Sequence, residues 1–569
     1  MQRWLGFIVA SLAGLVLAVL ATTPPAPVPA SAGPERFSAG RAMVDVNRIA
    51  AKPHPTGSVE NAEVRAYLVN RLQGLGLEVR EARAPMPERS TQRVAKWSKG
   101  TLVPTELVNI IGVLPGKDRT LPAVMLMAHH DTVWGSPGAA DDTAGVASIL
   151  EVVRAIKAQG QTQRDIVVLI TDAEETGLTG AKAFYANDPA RLQVGAVVNM
   201  EARGGGGRTT LFQTSRNNGN AVRLYVDAVS RPGASSLAAF IYSVLPNDTD
   251  LSVTLKAGDA VSYNFAFIGR PGLYHSPKST PERLDQGALQ DMGAQVLAIT
   301  HALSNEQTLP APAPDVVFSD VFGQFMLTYP AWGGWLMIAG IVAGLGFAAR
   351  GSKLREVVGS SGRMLVLIVG SGIALYLLNR VSGAGPGSNY YDRLAAIPLL
   401  EGMAALTCIA AFLLAFGKSV SSKARIVGGT GLLALLGVAA QTVAPTAAYV
   451  ILWPVLLATV ALLAVERAKW LAIACAALAM GYLVYMGHFI MQGVGPVMPF
   501  VAALPLALVA AALLPIWPGV AARANRNAAL ALAGLALCTA LWIRLDPMAD
   551  TIAVYSTDKT TPPIPITKE

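Results

Sequence analysis

From Ala331 to about residue 544 the chain is a succession of apolar runs, each long enough to cross a bilayer and separated by short polar loops. No other feature constrains the fold as strongly. In hydrocarbon, such a run must form a helix to satisfy its own backbone N–H and C=O groups. Eight spans are expected, near 331–349, 363–379, 394–416, 426–443, 447–465, 470–491, 497–518 and 528–544. A ninth, Trp4 to Ala21, lies near the start. Ala30-Ser31-Ala32 resembles a small-residue cleavage site, but a proline-rich stretch separates it from the apolar run, which favours an uncleaved anchor.

The loops alternate in charge. Arg350, Lys353, Arg355 and Arg363 fall in one, and Lys418, Lys423 and Arg425 in another. Arg467 with Lys469, and Arg523 with Arg526, mark two more, whereas the intervening loops are poor in basic residues apart from Arg380 and Arg393. The positive-inside rule makes the rich loops cytoplasmic and puts the segment after the first span, and the C-terminal tail, on the extracytoplasmic side. The expected organisation is an anchor and proline-rich linker (1–33), an extracytoplasmic domain (34–306), a linker (307–330) containing the proline-rich Thr308–Asp315, a helical membrane domain (331–546) and a tail (547–569).

A composition of 52% hydrophobic and only 14% charged residues agrees with a membrane protein. The net charge of +8 is no argument for a nucleic-acid partner, because the basic residues after position 350 cluster between spans. The lipid bilayer is the partner they imply. Cys408, Cys475 and Cys538 all lie in apolar runs, so the 34–306 domain has no disulfide, thiolate ligand or cysteine nucleophile. Glu401 and His488 are the notable ionisable residues inside spans. Two groups are too few for a relay, and the simpler reading has them facing other helices or snorkelling.

Residues 34–306 alternate between strand and helix patterns. Val108–Val113, Ala123–Met127, Ile166–Ile170 and Val194–Val198 are short apolar runs that read as buried strands, and Thr143–Ala158 carries apolar residues at helical spacing. The expected fold class is α/β, a mostly parallel sheet flanked by helices, followed by the all-α transmembrane bundle. Ligands of such sheets bind beyond the carboxyl ends of the strands. There the sequence places His129-His130-Asp131, Asp172-Ala-Glu174-Glu175, Asn199-Met-Glu201 and Tyr274-His275, with Asp141-Asp142 opening a helix. Any one of these reads as a cap or turn. Together, imidazoles and carboxylates in this proportion suit a pair of zinc ions, one carboxylate bridging them. In extended chain, residues two apart share a face, so Asp131 can support the ring of His129 but not that of His130.

The ordered set His-x-Asp, Gly-x-x-Asp-Asp, Glu-Glu-x-Gly, Asn-x-Glu and Tyr-His, over about Val108 to Asp285, resembles the co-catalytic zinc exopeptidases of the aminopeptidase Y type. With one span before it and eight after, the chain is similar to the membrane-bound branch containing endoplasmic-reticulum metallopeptidase and vacuolar membrane protease. The resemblance implies two Zn2+ per chain, bound by His129, Asp141, Glu175, Glu201 and His275 with Asp141 bridging. It implies Glu174 as general base, Asp131 as support of the ligand histidine, and a cis peptide between Asp141 and Asp142. The implied activity is hydrolysis of peptide substrates by a metal-bridging hydroxide, most simply as an aminopeptidase. The stretch between Glu201 and His275 is too short for the inserted lid domain of carboxypeptidase-like relatives. A glutaminyl cyclase, with one zinc, shares the scaffold, and a peptidase-like receptor or transporter is the non-enzymatic alternative.

One departure from the family pattern is Ser279, where an aspartate usually stands four residues after the last ligand. Arg203 either holds a substrate carbonyl or pairs with a surface carboxylate. His54 reads as a structural turn residue, Asp248 and Asp250 as pocket-wall or turn groups, and His301 as a surface or packing residue.

Overall fold

The computed structural model describes residues 2–245, 247–258, 260–418 and 422–545. The expected tail, 547–569, lies outside the described residues. The chain divides into two compact units, one built on residues 23–315 and one on residues 2–22 with most of those from 327 onward.

The first unit is organised by a seven-stranded sheet: β1 (Glu78–Pro85), β2 (Glu106–Leu114), β3 (Ala123–His129), β4 (Ile166–Thr171), β5 (Val194–Ala202), β6 (Gly206–Thr214) and β7 (Val261–Gly269), in spatial order β1-β2-β4-β3-β5-β7-β6. Every residue of β3 and β4 is buried, as expected of central strands covered on both faces. The helices Thr143–Gln159 and Gln286–Asn305 pack against each other, and both contact the sheet.

The α/β class is as expected, but the sheet is mixed rather than mostly parallel. β4, β3, β5 and β7 run parallel, whereas β1, β2 and β6 pair antiparallel. The connections explain this. Residues 115–122 join β2 to β3 and residues 203–205 join β5 to β6, both shorter than a parallel crossover needs. β2 and β6 therefore reverse, and the four parallel carboxyl ends remain together in the centre.

The proline-rich stretches are not free linkers. Val28 N–H donates to Gln290 Oε1 at 3.1 Å and the Ser38 hydroxyl to Val28 O at 3.0 Å. Likewise Arg164 donates to Gln307 O, and Asn220 to Ala311 O, both at 2.9 Å. Prolines leave many carbonyls with no ladder partner, and here side chains take them up. The rest of the expected linker forms a hairpin of β8 (Val316–Val321) and β9 (Phe325–Pro330).

The second unit is helical. Among the described residues, seven helical stretches are long and apolar enough to cross a membrane: Arg3–Thr22, Leu354–Val381, Tyr391–Phe416, Lys423–Val443, Lys469–Val494, Pro499–Ile516 and Ala522–Leu545. Gly333–Ala348 and Tyr449–Ala464, two of the nine expected spans, are shorter apolar helices. At 1.5 Å per residue each covers about 24 Å, less than a typical hydrocarbon core. Arg355, Glu356 and Arg363 belong to the first turns of a helix and not to a loop. Val19, Leu336, Val366 and Trp470 are all more than 60% exposed, an outward apolar surface suited to lipid and not to water.

Candidate metal centre and active site

The site lies at the carboxyl ends of β3, β4, β5 and β7. His129 is the last residue of β3, Glu174 and Glu175 follow β4, Glu201 is the penultimate residue of β5, and His275 follows β7. Asp141 and Asp142 are joined by a cis peptide bond. The Asp142 carboxylate accepts from Gly145 N–H at 3.2 Å, capping the helix Thr143–Gln159, and from His129 N–H at 3.2 Å. One side chain thus ties the helix start to the end of β3. Just before it, Gly138 has φ +64°, and a Cβ there would stand 2.6 Å from the Asp141 carbonyl oxygen.

Asp141 lies between the two imidazoles. Its Oδ1 is 3.1 Å from His129 Nε2 and its Oδ2 is 3.1 Å from His275 Nε2. Glu201 Oε1 is 3.9 Å from His129 Nε2, and Glu175 Oε1 is 3.1 Å from His275 Nε2. Two groups result, His129–Asp141–Glu201 and Asp141–Glu175–His275, and the ligand atoms within each lie within 4.8 Å of one another. Asp141 is common to both.

The electrostatics are those of a cation site. Among the described residues, no lysine or arginine is within ion-pair distance of Asp141, Glu174, Glu175 or Glu201; the ion-pair partners of Asp141, Glu175 and Glu201 are the imidazoles. Burial pushes the Glu174 and Glu201 carboxyls well above the ordinary range, and neighbouring carboxylates push the same way. Both imidazoles are raised well above the usual histidine value, because the carboxylate contacts outweigh burial. Imidazole and carboxylate donors crowded around one bridging carboxylate fit zinc.

The supporting residues differ from the expectation in one respect. His129 Nδ1 is 2.9 Å from the backbone carbonyl of Asp131 and 3.5 Å from its carboxylate. β3 ends at His129, so the alternation that would aim the Asp131 side chain at the ring ends there too. The carbonyl performs the same service: accepting from Nδ1–H, it leaves the Nε2 lone pair towards Asp141 and Glu201. The Asp131 carboxylate accepts from the backbone N–H of Glu174 at 2.9 Å and of Glu175 at 3.3 Å, holding the Glu-Glu pair in place.

His130 faces away from the metal donors. Its Nε2 is 3.1 Å from Val108 O and its Nδ1 is 3.2 Å from Asn61 Nδ2, so it braces β2 and does not line the site. His54 is buried; its Nδ1 is 2.8 Å from Lys52 O, and its N–H donates to the Thr132 hydroxyl at 3.0 Å. Arg203 lies with Cζ 5.9 Å from the centroid of the Tyr274 ring, which stacks on His275 at 3.8 Å. Ser279 is buried, its carbonyl accepting from Ala139 N–H at 3.0 Å.

Asp250 is more than a turn residue. It is buried, accepts a short hydrogen bond from the Thr171 hydroxyl at the end of β4, and is pushed up to about 6 by burial. It adds a further acid to the cluster around Glu174. The signal was present in Thr249-Asp-Leu-Ser252, a capping box that starts a helix at Asp250 and so puts that residue at a helix mouth.

Residues 109–300 match the model of peptidase family M28. Over 251 residues the chain is 31% identical to human endoplasmic reticulum metallopeptidase 1, covering 42% of this chain and 28% of that protein. It is 29% identical to the vacuolar membrane protease of Lachancea thermotolerans, covering 50% of this chain and 31% of that one. The chain therefore spans only about a third of the length of these relatives. Among solved structures, a zinc aminopeptidase from Bacillus subtilis aligns at 16% identity and TM-score 0.40, covering 49% of this chain and 98% of that one. Porphyromonas gingivalis glutaminyl cyclase aligns at 21% identity and TM-score 0.36, covering 46% and 97%. The sheet, the clustered donors and the sequence match agree: residues 109–300 of this chain form a peptidase family M28 domain.

Proposed function

We propose that the chain is a membrane-anchored metallopeptidase that holds two zinc ions and removes residues from the N-termini of peptides. The observation that carries this reading is the sharing of Asp141 between two donor groups, one oxygen towards each imidazole. His129, Asp141 and Glu201 would hold one ion, and His275, Asp141 and Glu175 the other. Bound there, the pair would supply Lewis acidity to the scissile carbonyl and a more acidic water. Glu174 is the general base: its carboxylate takes the proton of the attacking water and delivers it to the leaving amine. Asp131 positions Glu174 through the backbone and fixes the tautomer of His129 through its carbonyl.

In the proposed topology, residues 34–306 are the extracytoplasmic catalytic domain, with the loops rich in lysine and arginine in the cytoplasm. Close packing supports retention of the first helix as an anchor: a Cβ on Gly14 would stand 3.1 Å from Ala477 O, and one on Gly481 2.9 Å from Leu17 Cβ.

Metal analysis of the purified full chain, with an aminoacyl-substrate panel, tests the reading. Two zinc ions and release of N-terminal residues support it. One zinc with cyclisation of N-terminal glutamine would assign the chain to the glutaminyl cyclases instead.

A further inference from the structure

Arg380 and Arg393 are the two basic residues that the alternation of charged loops leaves unexplained. The structure brings them together with Arg544, in the last turn of the helix Ala522–Leu545, at one end of the helical unit. The chain turns out of the helix Leu354–Val381 at Gly383, where φ is +99°. Around that turn the three guanidinium groups gather. Arg544 donates to Val381 O at 3.4 Å, and Arg393 to the next carbonyl, Ser382 O, at 2.7 Å. A Cβ on Gly383 would stand 3.3 Å from Arg393 Nη1, and one on Gly385 3.2 Å from Arg380 Nη1.

Their partners are all neutral. Arg393 also donates to Asn379 Oδ1 at 3.0 Å and to the Ser382 hydroxyl at 2.7 Å. Among the described residues, no carboxylate, Asp392 included, forms an ion pair with Arg380, Arg393 or Arg544. Carbonyls and hydroxyls orient a guanidinium but leave its charge uncancelled. Arg393 is the worst placed: its Nε is buried without a hydrogen-bond partner, and it stands just before the helix Ile397–Phe416, whose N-terminal end repels a cation. Snorkelling explains a single arginine at a helix end. It does not explain three like charges converging on one turn, a costly arrangement unless an anion lies among them.

We propose that Arg380, Arg393 and Arg544 bind the phosphate of an anionic phospholipid. The site lies where apolar helices end, the depth at which lipid phosphates lie. Tyr376 and Leu377 on one helix, and Leu541 and Trp542 on the helix packed against it, are all more than 40% exposed. They stand within about one turn of Arg380 and Arg544 and offer apolar surface to acyl chains. A tyrosine and a tryptophan at this position suit the membrane interface. Guanidinium groups match phosphate oxygens in both charge and geometry. Three positive charges favour a headgroup with net negative charge over a zwitterionic one, whose ammonium they repel. The inference rests on the membrane placement proposed for the helical unit and not on the metal site.

The test is native mass spectrometry of the full chain in a neutral detergent, titrated with phosphatidylglycerol, phosphatidylcholine or inorganic phosphate. Native protein should hold phosphatidylglycerol more tightly than phosphatidylcholine, and an equal concentration of inorganic phosphate should not displace it. Arg380→Gln and Arg544→Gln should each weaken phosphatidylglycerol by about fivefold, the effect of one basic residue at an anionic surface, and leave phosphatidylcholine unchanged. Arg393→Gln would also remove three hydrogen bonds, so the two exposed arginines carry the test. Arg380→Lys should keep most of the preference. Arg523→Gln, at the opposite end of the helix Ala522–Leu545, controls for diffuse attraction and should alter neither lipid. Melting temperature and peptidase turnover of the same variants show that each is folded and separate failure of this site from failure of the catalytic reading. Equal affinity of native protein for the two lipids, an unchanged preference in both glutamine variants, or an equal loss in Arg523→Gln would overturn the proposal. So would displacement of the lipid by inorganic phosphate, which would assign the site to a soluble anion.

Discussion

At the residue scale, the sharpest contrast is between adjacent histidines. His129 presents Nε2 to Asp141 and Glu201, whereas His130 turns both ring nitrogens into the scaffold. His129→Ala should lose at least one zinc and nearly all turnover. His130→Ala should keep both metals and measurable turnover but lose about 2–4 kcal/mol of stability, since a buried ring and its hydrogen bonds go together. Metal content and melting temperature, measured on both variants, decide the assignment; the reverse pattern would move the site by one residue. Glu174→Gln preserves shape and removes the proposed base. Two ions should remain bound while turnover falls by roughly 10²–10⁴-fold, and near-native turnover would deny Glu174 its role. His54 sets a pH limit. Burial lowers its pKa from 6.5 to about 4, so the folded protein keeps it neutral while the unfolded chain takes up a proton below about 6.5. Its contribution is fully present above 6.5 and is lost as pH falls towards 4, by about 3 kcal/mol in all. Melting curves from pH 7 to pH 4.5 should converge for native protein and His54→Asn. Parallel curves would mean that His54 is not buried neutral.

At the scale of elements, two short connections reverse β2 and β6, and that reversal leaves four parallel strands ending together. The connection between the first two of the expected strands was legible in the sequence; β6 and the strand order were not, because they depend on which faces bury which. The carboxylate of Asp131 shows the same division. Its proximity to His129 follows from the spacing, but its hold on the backbone of Glu174 depends on β4 lying beside β3. In the helical unit, Gly14 and Gly481 let the helices Gln2–Thr22 and Lys469–Val494 approach closely. Gly14→Leu should therefore overpack this contact and destabilise the protein by about 1–3 kcal/mol, read as a lower melting temperature in detergent with the metal content unchanged. An unaltered melt would show that the contact contributes nothing.

On the scale of the whole molecule, the alternation of basic loops predicts an orientation of the helices. Reporter fusions at Lys423 and at Ser388, on either side of the helix Ile397–Phe416, should report opposite compartments, with Lys423 cytoplasmic. A common compartment would break the nine-helix topology, to which the two shorter helices, Gly333–Ala348 and Tyr449–Ala464, must then be the exception. The sequence by itself determined the partition into an α/β part and an apolar helical part, because hydrophobic run length and periodicity are local properties that no tertiary contact can undo. It also named the residues from which the two donor groups are built, since strand-end motifs carry their chemistry with them. Tertiary structure alone decided that the sheet is mixed, that Asp141 lies between His129 and His275, that Asp250 joins the acid cluster, and that Glu401 meets His488. Each of those is a pairing between segments distant in the chain, and distance in space is set by how buried faces pack, which no local pattern encodes.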